Sequence, residues 1–543
     1  MKAAELFVRC LENEDVEYIF GVPGEENLDI MDALLDSPIK FITTRHEQGA
    51  AFMADVYGRL TGKAAVCLAT LGPGATNLIT GVADANLDHA PLVSIAGQAS
   101  THRLHKESHQ VLDLEEIFRP ITKYSARVLT PNIITEVVRK AFKVAVAEKS
   151  GATFIELPEN IAEMEIDDKP LRVKHPTLPE PPVERVARAA ELISNARNPI
   201  ILAGNGVVRA KAWRQLAEFA EKLNIPVANT FMAKGVVPFK HPMTLGSAGL
   251  QSKDYVSCGF DRADVIICVG YDLVEYHPYL WHPTQDRAII HVDVSPAEVD
   301  AYYPVEVGVV GDIKHSLIRI MELATPHTGY TMRALRRALI EDMDQHKDDH
   351  NVPVKPQKVI FDLRTAMEDE DIVICDVGAH KMWMARMFRC ELPNTCIISN
   401  GFASMGIAVP GAIAAKLVHP DRGVVAVTGD AGFMMNSQEL ETAMRIGTPI
   451  VVLIWNDNGY GLIEWKQMVH FGRPSNVRFT NPDFVKYAES FGAKGYRIER
   501  GEDLLPTLKK ALADKTVSVI DCPIDYSENM KLTNKLGEMV CPI

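Results

Sequence analysis

Apolar runs of four to seven residues recur along the chain, bounded by glycine, proline or polar clusters, with helical periodicity between most of them. In a first block, residues 17–20, 41–44, 64–70, 92–96 and 153–157 are predicted strands. Turn or helix-cap residues follow most of these runs, as expected of a parallel sheet covered on both faces. Asp167-Asp168-Lys169-Pro170 and a proline-rich segment from Pro176 to Pro182 come next, and their fixed φ angles and missing donors predict an extended linker. A second block repeats the pattern with strands predicted at 199–203, 265–269 and 289–292. The stretch 341–356, rich in Asp, His, Lys and Pro, marks a second boundary, and a third block opens with a strand at 372–375. The expected fold class is therefore α/β, with three parallel-sheet domains at 1–165, 185–325 and 355–543. The first and third share one grammar of strand, glycine-rich turn and helix.

Length agrees with this division, since 543 residues exceed what one core supports. A hydrophobic fraction of 47% excludes a disordered chain. The net charge of −14, with acids and bases interspersed, argues against nucleic acid or an anionic membrane as partner and for a small soluble substrate. Nine cysteines without a CxxC pair indicate neither a disulfide framework nor a zinc knuckle, and they read as reduced packing residues. Charges interrupt the N-terminus too early for a signal peptide and no apolar run reaches membrane length, so the expected location is the cytoplasm.

The candidate chemistry concentrates in residues 424–459. A strand ends at Gly429-Asp430-Ala431-Gly432, a helix follows, and a second strand runs into Asn456-Asp457-Asn458-Gly459. Asn436 is expected to cap that helix with Glu439 at its third position, Leu440, Ala443 and Met444 on one face, and Gly447 as the stop. Both strands of such a crossover run parallel, so Asp430 and Asp457 emerge at the carboxyl ends, where open α/β sheets bind ligands. Either aspartate alone would be read as a helix or turn cap. Paired, with turn carbonyls and the small Ala431 and Gly432, they form an octahedral magnesium site able to hold a diphosphate.

Gly429-Asp430-Ala431, the crossover and Asn456-Asp457-Asn458 resemble the thiamine-diphosphate motif of the acetohydroxyacid synthase, pyruvate oxidase and pyruvate decarboxylase superfamily. The resemblance implies a pyrimidine-binding, a central Rossmann-like and a diphosphate-binding domain, in that order. It implies Mg²⁺ ligation by Asp430, Asp457 and the carbonyl of Gly459, with Gly429, Ala431 and Gly432 near the diphosphate. Asp376-Val377-Gly378-Ala379-His380 is similar to the family's other diphosphate loop. Residues 401–406 resemble the segment that places a large apolar side chain under the cofactor, which implies this role for Met405 and acceptance from the cofactor's 4′-amino group by Ala403. Pro23, Gly24 and Tyr460 are assigned to the cofactor by the same likeness.

By position alone, Glu47 in Arg45-His46-Glu47-Gln48 is a carboxylate complementing a helix dipole. The resemblance implies instead that it hydrogen-bonds N1′ of the pyrimidine and relays the proton that activates the thiazolium carbon. Gly72 to Asn77 and Ser108-His109-Gln110 resemble parts of the same half-site, which implies Asn77 on the pyrimidine side and His109 and Gln110 on the substrate side. Gly204-Asn205-Gly206 lacks the third glycine of a dinucleotide fingerprint, with Arg209 in its place, and is read as a plain strand-to-helix turn.

The likeness covers nearly the whole chain and is closest to acetolactate synthases of the catabolic, flavin-independent type. The flavin-contacting Arg-Phe-Asp-Asp-Arg run of the biosynthetic enzymes is replaced by Asp272-Leu273-Val274-Glu275-Tyr276, so FAD is not expected. Lys466 stands where those enzymes carry an acceptor-selecting tryptophan, with Trp465 one residue earlier. The implied activity is decarboxylation of pyruvate on thiamine diphosphate and condensation with a second pyruvate to 2-acetolactate. Another 2-oxo acid decarboxylase or carboligase, and a non-catalytic regulatory subunit, are the competing readings. The implied assembly is a homo-oligomer, a dimer at minimum and a tetramer as the expected form.

Overall fold

The structure is a computed structural model that describes residues 1–174, 177–249, 255–328 and 332–530. Part of the predicted linker, residues 175–176, and Cys541 lie outside these. By internal contacts the chain forms two compact units, the first built from Met1–Thr177, Gly401–Asp421 and Met434–Ile450.

The first unit contains a six-stranded sheet of β1 (Tyr18–Gly21), β2 (Lys40–Thr43), β3 (Ala65–Ala69), β4 (Leu92–Gln98), β5 (Tyr124–Arg127) and β6 (Ala152–Pro158). Its order is β2-β1-β3-β4-β6-β5, and its pairs are parallel. All five predicted strands are present. β5 was not legible because Tyr-Ser-Ala-Arg lies at the sheet edge, half-buried throughout and without an apolar run. Helices follow the strand ends: Glu47–Thr61 stops at Gly62, whose φ of 71° closes the last turn in the left-handed region.

The second unit holds two sheets. The central one joins β7 (Pro199–Ala203), β8 (Val227–Asn229), β9 (Thr244–Ser247), β10 (Val265–Val269), β11 (Ala288–Asp293) and β12 (Val305–Val310) in the order β12-β11-β10-β7-β8-β9. This is the doubly wound order, reversing between β7 and β10. Both faces are buried: Ile200, Leu202, Ile266 and Cys268 pack in one cluster, and Ile201, Ala203, Val265, Ile267 and Val269 in another. Each Val, Ile or Leu among them contributes roughly 1.5–3 kcal/mol when buried, which explains why these strands read as unbroken apolar runs.

The other sheet joins β13 (Ile372–Cys375), β14 (Cys396–Ile398), β15 (Val424–Gly429), β16 (Val451–Asn456), β17 (Lys494–Arg497) and β18 (Ser518–Pro523) in the order β14-β13-β15-β16-β18-β17. Position for position this is the order of the first sheet, so the shared grammar of the first and third blocks reflects a shared topology. Two expectations are corrected. The boundary stretch 341–356 is not all linker, since helix Arg333–Met343 runs into it and its Asp342 pairs with Arg386 at 2.8 Å. Among the cysteines, seven are buried free thiols, but Cys258 is disulfide-bonded, so the set is not uniformly reduced.

Candidate active site

In the first unit, β2 ends at Thr43 and the next helix begins at Glu47. His46 caps that helix from an extended conformation, its Nδ1 accepting from the Gln48 N–H at 3.1 Å. Glu47 therefore sits in the first turn, where unpaired N–H groups favour a carboxylate. Asn77 Nδ2 donates to Glu47 Oε2 at 3.0 Å. Asn77 belongs to helix Pro73–Leu87, which starts with proline after Gly72 at φ 54°. A Cβ on Gly72 would stand 2.9 Å from the Gln110 carbonyl oxygen, one on Gly74 3.5 Å from Glu47 Oε1, and one on Gly24 2.3 Å from Thr70 Cβ. Gly24, Glu47, Asn77 and Gln110 thus gather around the turn that follows β3. Pro23, His109 and Gln110 are exposed.

Ala403 and Met405 lie on a short strap in the same unit. Ala403 has φ 57°, a left-handed conformation that costs a non-glycine residue roughly 1–2 kcal/mol and persists only where the surroundings hold it. They hold it at both ends. Asp88 Oδ1 accepts from the Gly401 N–H at 2.5 Å, while Asn436 Nδ2 donates to the Gly406 carbonyl at 3.0 Å. Asp88 is itself fixed by Arg59, which also pairs with Asp55 and Asp84 in a buried cluster. Met405 is half-buried.

In the second unit, β15 and β16 are parallel neighbours that pair Gly429 with Trp455, so both deliver their following residues at the same sheet end. Asp430 is buried and accepts from the Ala431 N–H at 2.8 Å, the Asn458 N–H at 2.7 Å and Asn481 Nδ2 at 2.7 Å. Burial raises its pKa above the ordinary carboxylate value. Burial, with the charge of Asp430 second, pushes Asp457 up to about 7. Arg478 opposes this only partly, because its guanidinium lies 3.7 Å from the Asp457 carboxylate and is 55% exposed. Tyr460 is partly exposed, its N–H bonded to the Val477 carbonyl at 2.9 Å and its ring against Phe479.

Ala379 and His380 open helix Ala379–Met387 after Gly378, and a Cβ on Gly378 or Gly429 would meet the His380 ring at 2.8 or 3.4 Å. A Cβ on Gly432 would stand 2.9 Å from Asp376 Oδ1. Burial lowers His380 to about 3, so its imidazole stays neutral, and its Nε2 is buried without a hydrogen-bond partner.

These features fit a magnesium diphosphate. A buried carboxylate beside a partly buried one favours positive charge nearby, and a neutral imidazole can donate to a phosphate oxygen. Among the described residues no group of three or more His, Cys, Asp or Glu could hold a metal ion. An octahedral ion held by two carboxylates and a backbone carbonyl completes its shell from water or phosphate oxygens, the usual habit of Mg²⁺.

The local strand-to-helix pattern correctly brought Asp430 and Asp457 to one sheet end. It missed Asn481, whose amide contacts Asp430, Asn456 and Asn458; the Asn481-Pro482 dipeptide was a usable turn signal. The expected cap by Asn436 is overturned. Asn436 ends helix Asp430–Asn436, and the next helix, Glu439–Ile446, starts after Gln438 with no side-chain cap. Gly447 does end it, at φ 68°. Trp465 is buried in the core of the third sheet, and Lys466 beside it is exposed.

Three family models match the chain: the N-terminal TPP binding domain of thiamine pyrophosphate enzymes over residues 1–117, their central domain over 186–320 and their C-terminal TPP binding domain over 376–522. Acetolactate synthase of Bacillus subtilis (strain 168) is 37% identical, covering 99% of this chain and 97% of its own. A probable acetolactate synthase large subunit of Methanocaldococcus jannaschii is 35% identical over 100% of this chain and 96% of its own. The catabolic acetolactate synthase of Raoultella terrigena is 35% identical, over 98% and 97% respectively.

Proposed function

The chain belongs to the thiamine pyrophosphate enzyme family, and from that premise we propose that it acts as an acetolactate synthase, decarboxylating pyruvate and joining the two-carbon remainder to a second pyruvate as 2-acetolactate. The observation that carries this reading is the end-to-end likeness to acetolactate synthases. Bound thiamine diphosphate supplies an electron sink for decarboxylation and a carbon nucleophile for the new bond.

The chain's own residues bind and orient. Asp430, Asp457 and the Gly459 carbonyl hold Mg²⁺, while Gly378, Ala379, His380, Gly429, Ala431 and Gly432 cradle the diphosphate. Pro23, Gly24 and Tyr460 would contact the cofactor, Met405 would support it from below, and the Ala403 carbonyl would accept from its 4′-amino group. Glu47 exchanges a proton at the pyrimidine N1′, and Asn77 holds the Glu47 carboxylate in place by the bond at 3.0 Å. His109 and Gln110 orient the 2-oxo acid. The domain limits we assign are 1–165, 185–325 and 355–543. Because Glu47 and the metal acids belong to different domains, the working form is a homo-oligomer, a dimer at minimum and a tetramer as the expected form, that needs no flavin and works in the cytoplasm.

Incubation of the purified protein with a panel of 2-oxo acids, with CO₂ release and products followed, tests the reading. Acetolactate from pyruvate alone supports it; CO₂ with aldehyde and no carbon–carbon bond replaces it by a simple decarboxylase. Glu47→Gln keeps size and removes acid–base function, so C2 hydrogen exchange and turnover should each fall by ~100-fold to 10,000-fold. Mixing Glu47→Ala with Asp430→Ala subunits should restore activity through hybrid sites, and an active strict monomer would refute the oligomer.

A further inference from the structure

Glu439 is fully buried, and its carboxylate is satisfied by N–H and O–H donors rather than by a cation. Oε1 accepts from the backbone N–H of Arg45 at 3.0 Å and of His46 at 3.1 Å, and Oε2 accepts from Thr442 Oγ1 at 2.6 Å. Burial pushes this carboxyl up to about 7. Arg45 and His46 immediately precede Glu47. On the other side of that residue, a Cβ on Gly49 would stand 2.7 Å from Glu439 Oε1, so the first turn of helix Glu47–Thr61 closes directly onto the carboxylate.

Asn436 makes a matching pair of contacts. Its Nδ2 donates to Gln48 Oε1 at 3.1 Å and to the Gly406 carbonyl at 3.0 Å. Gly406 has φ 93°, and a Cβ there would meet Asn436 Nδ2 at 2.7 Å. One side chain thereby touches the residue after Glu47 and the residue after Met405. Neither Asn436 nor Glu439 caps its own helix, since helix Glu439–Ile446 has no side-chain cap. Each side chain keeps one local contact, Glu439 with Thr442 and Asn436 with Gln438, and reaches in addition to segments far away in sequence.

We propose that Glu439 and Asn436 are positioning residues: through the Arg45 and His46 amides, Gln48 and the Gly406 carbonyl, the stretch Asn436-Ser437-Gln438-Glu439 sets the direction of the Glu47 carboxylate and its register with the Met405 strap. The inference rests on Glu47 being the proton-relay carboxylate. Retaining a buried carboxylate without a counter-charge is costly, and replacing it by an apolar group would leave two backbone donors unsatisfied beside the relay residue.

The test compares Glu439→Ala, Glu439→Gln and Gly49→Ala with the parent full-length protein in two readouts. The first is amide hydrogen exchange at Arg45 and His46 in the cofactor-free protein; the second is C2 hydrogen exchange of bound thiamine diphosphate at saturating cofactor. Glu439→Ala should lose at least ~10-fold of protection at both amides, as expected when a local hydrogen bond is removed, and slow C2 exchange ~10-fold to 100-fold. Glu439→Gln keeps an acceptor oxygen and should retain most of both. Gly49→Ala displaces the carboxylate from the opposite side with Glu439 intact and should reproduce the alanine variant, which keeps the test open should Glu439→Ala not fold. Protection unchanged in Glu439→Ala and Gly49→Ala, or protection lost with C2 exchange at the parent rate, overturns the proposal. Normal C2 exchange in Glu47→Gln overturns the relay reading itself, whereas slow exchange in Glu47→Gln with parent behaviour in the Glu439 variants overturns the positioning role alone.

Discussion

Two sheets of the second unit end a strand in a glycine-containing turn and treat it in opposite ways. After β7, the turn at Gly204 is filled by the chain itself: Glu275 accepts from the Asn205 N–H at 2.9 Å, the Asp272 N–H at 3.2 Å and the Thr230 hydroxyl at 2.5 Å. A Cβ on Gly204 would stand 2.4 Å from the Gly270 carbonyl oxygen and 2.6 Å from Glu275 Oε1. Arg209 pairs with Asp272 at 3.2 Å, with both side chains nearly inaccessible. After β15, by contrast, Asp430 and Asp457 face each other with little compensating charge, and His380 presents a buried ring nitrogen without a partner. The chain thus supplies its own acceptor to the central turn, whereas under the proposed function the other turn takes an ion and an anion. Equivalent places in two α/β sheets therefore differ in function according to whether the chain supplies its own ligand.

The largest test of this contrast is removal of a carboxylate from the incomplete turn. Asp430→Ala or Asp457→Ala should weaken Mg²⁺ and thiamine diphosphate together by more than ~100-fold in calorimetric titration, since even outer-shell changes cost 10–100-fold. Unchanged affinity for both would break the comparison at once.

Next in size is stabilisation by ligand. Mg²⁺ with thiamine diphosphate at about 100 times its Kd should stabilise the protein by ~2.7 kcal/mol, visible as a raised Tm, whereas FAD or NADH should leave Tm in place because Glu275 fills the central turn. A flavin-dependent rise in Tm would show that the central turn is not closed.

Removing the internal ligand sharpens the same point. Glu275→Ala strands the Asn205 and Asp272 donors and should lower stability in urea by ~1–3 kcal/mol with cofactor affinity unaltered. A parallel loss of cofactor affinity would mean that the two turns are not independent.

The last test lies in the pH dependence. Burial, then the neighbouring Asp272, pushes Glu275 up to about 8, above its unfolded value near 4.5. The folded state then binds more protons than the unfolded state between these values, so this group's contribution to stability falls as pH rises through that window. Glu275→Gln cannot ionise, and its stability relative to the parent should improve with pH by up to ~1.4 kcal/mol per unit between pH 5 and 8. Parallel pH profiles would show that Glu275 is not raised.

Legibility followed the range of the determining contacts. The long apolar strands and the turns at Glu47, Asp430 and Asp457 were readable because a buried strand and the turn leaving it are written in adjacent residues. Edge strands such as β5 and β17 were not, since a half-buried edge needs no continuous apolar run. Asn481 escaped because it reaches Asp430 across 51 residues, and its own neighbourhood shows only a turn. At Asn436 and Glu439 local capping rules pointed to the wrong partner, because those rules weigh only donors within one helical turn.

By itself the sequence determined three parallel-sheet α/β blocks, the pairing of Asp430 with Asp457 at one sheet end, and a family likeness carried by contiguous motifs. Tertiary structure alone decided that the first and third sheets share one strand order, that Glu275 closes the central turn, and that Glu439 reaches beyond its own helix to hold Arg45 and His46 across about 394 residues of chain. The division has a physical reason. Strand period and turn chemistry are properties of neighbouring residues, but a buried polar group takes whichever donors the packed chain brings to it, and those donors are specified only once distant segments have met.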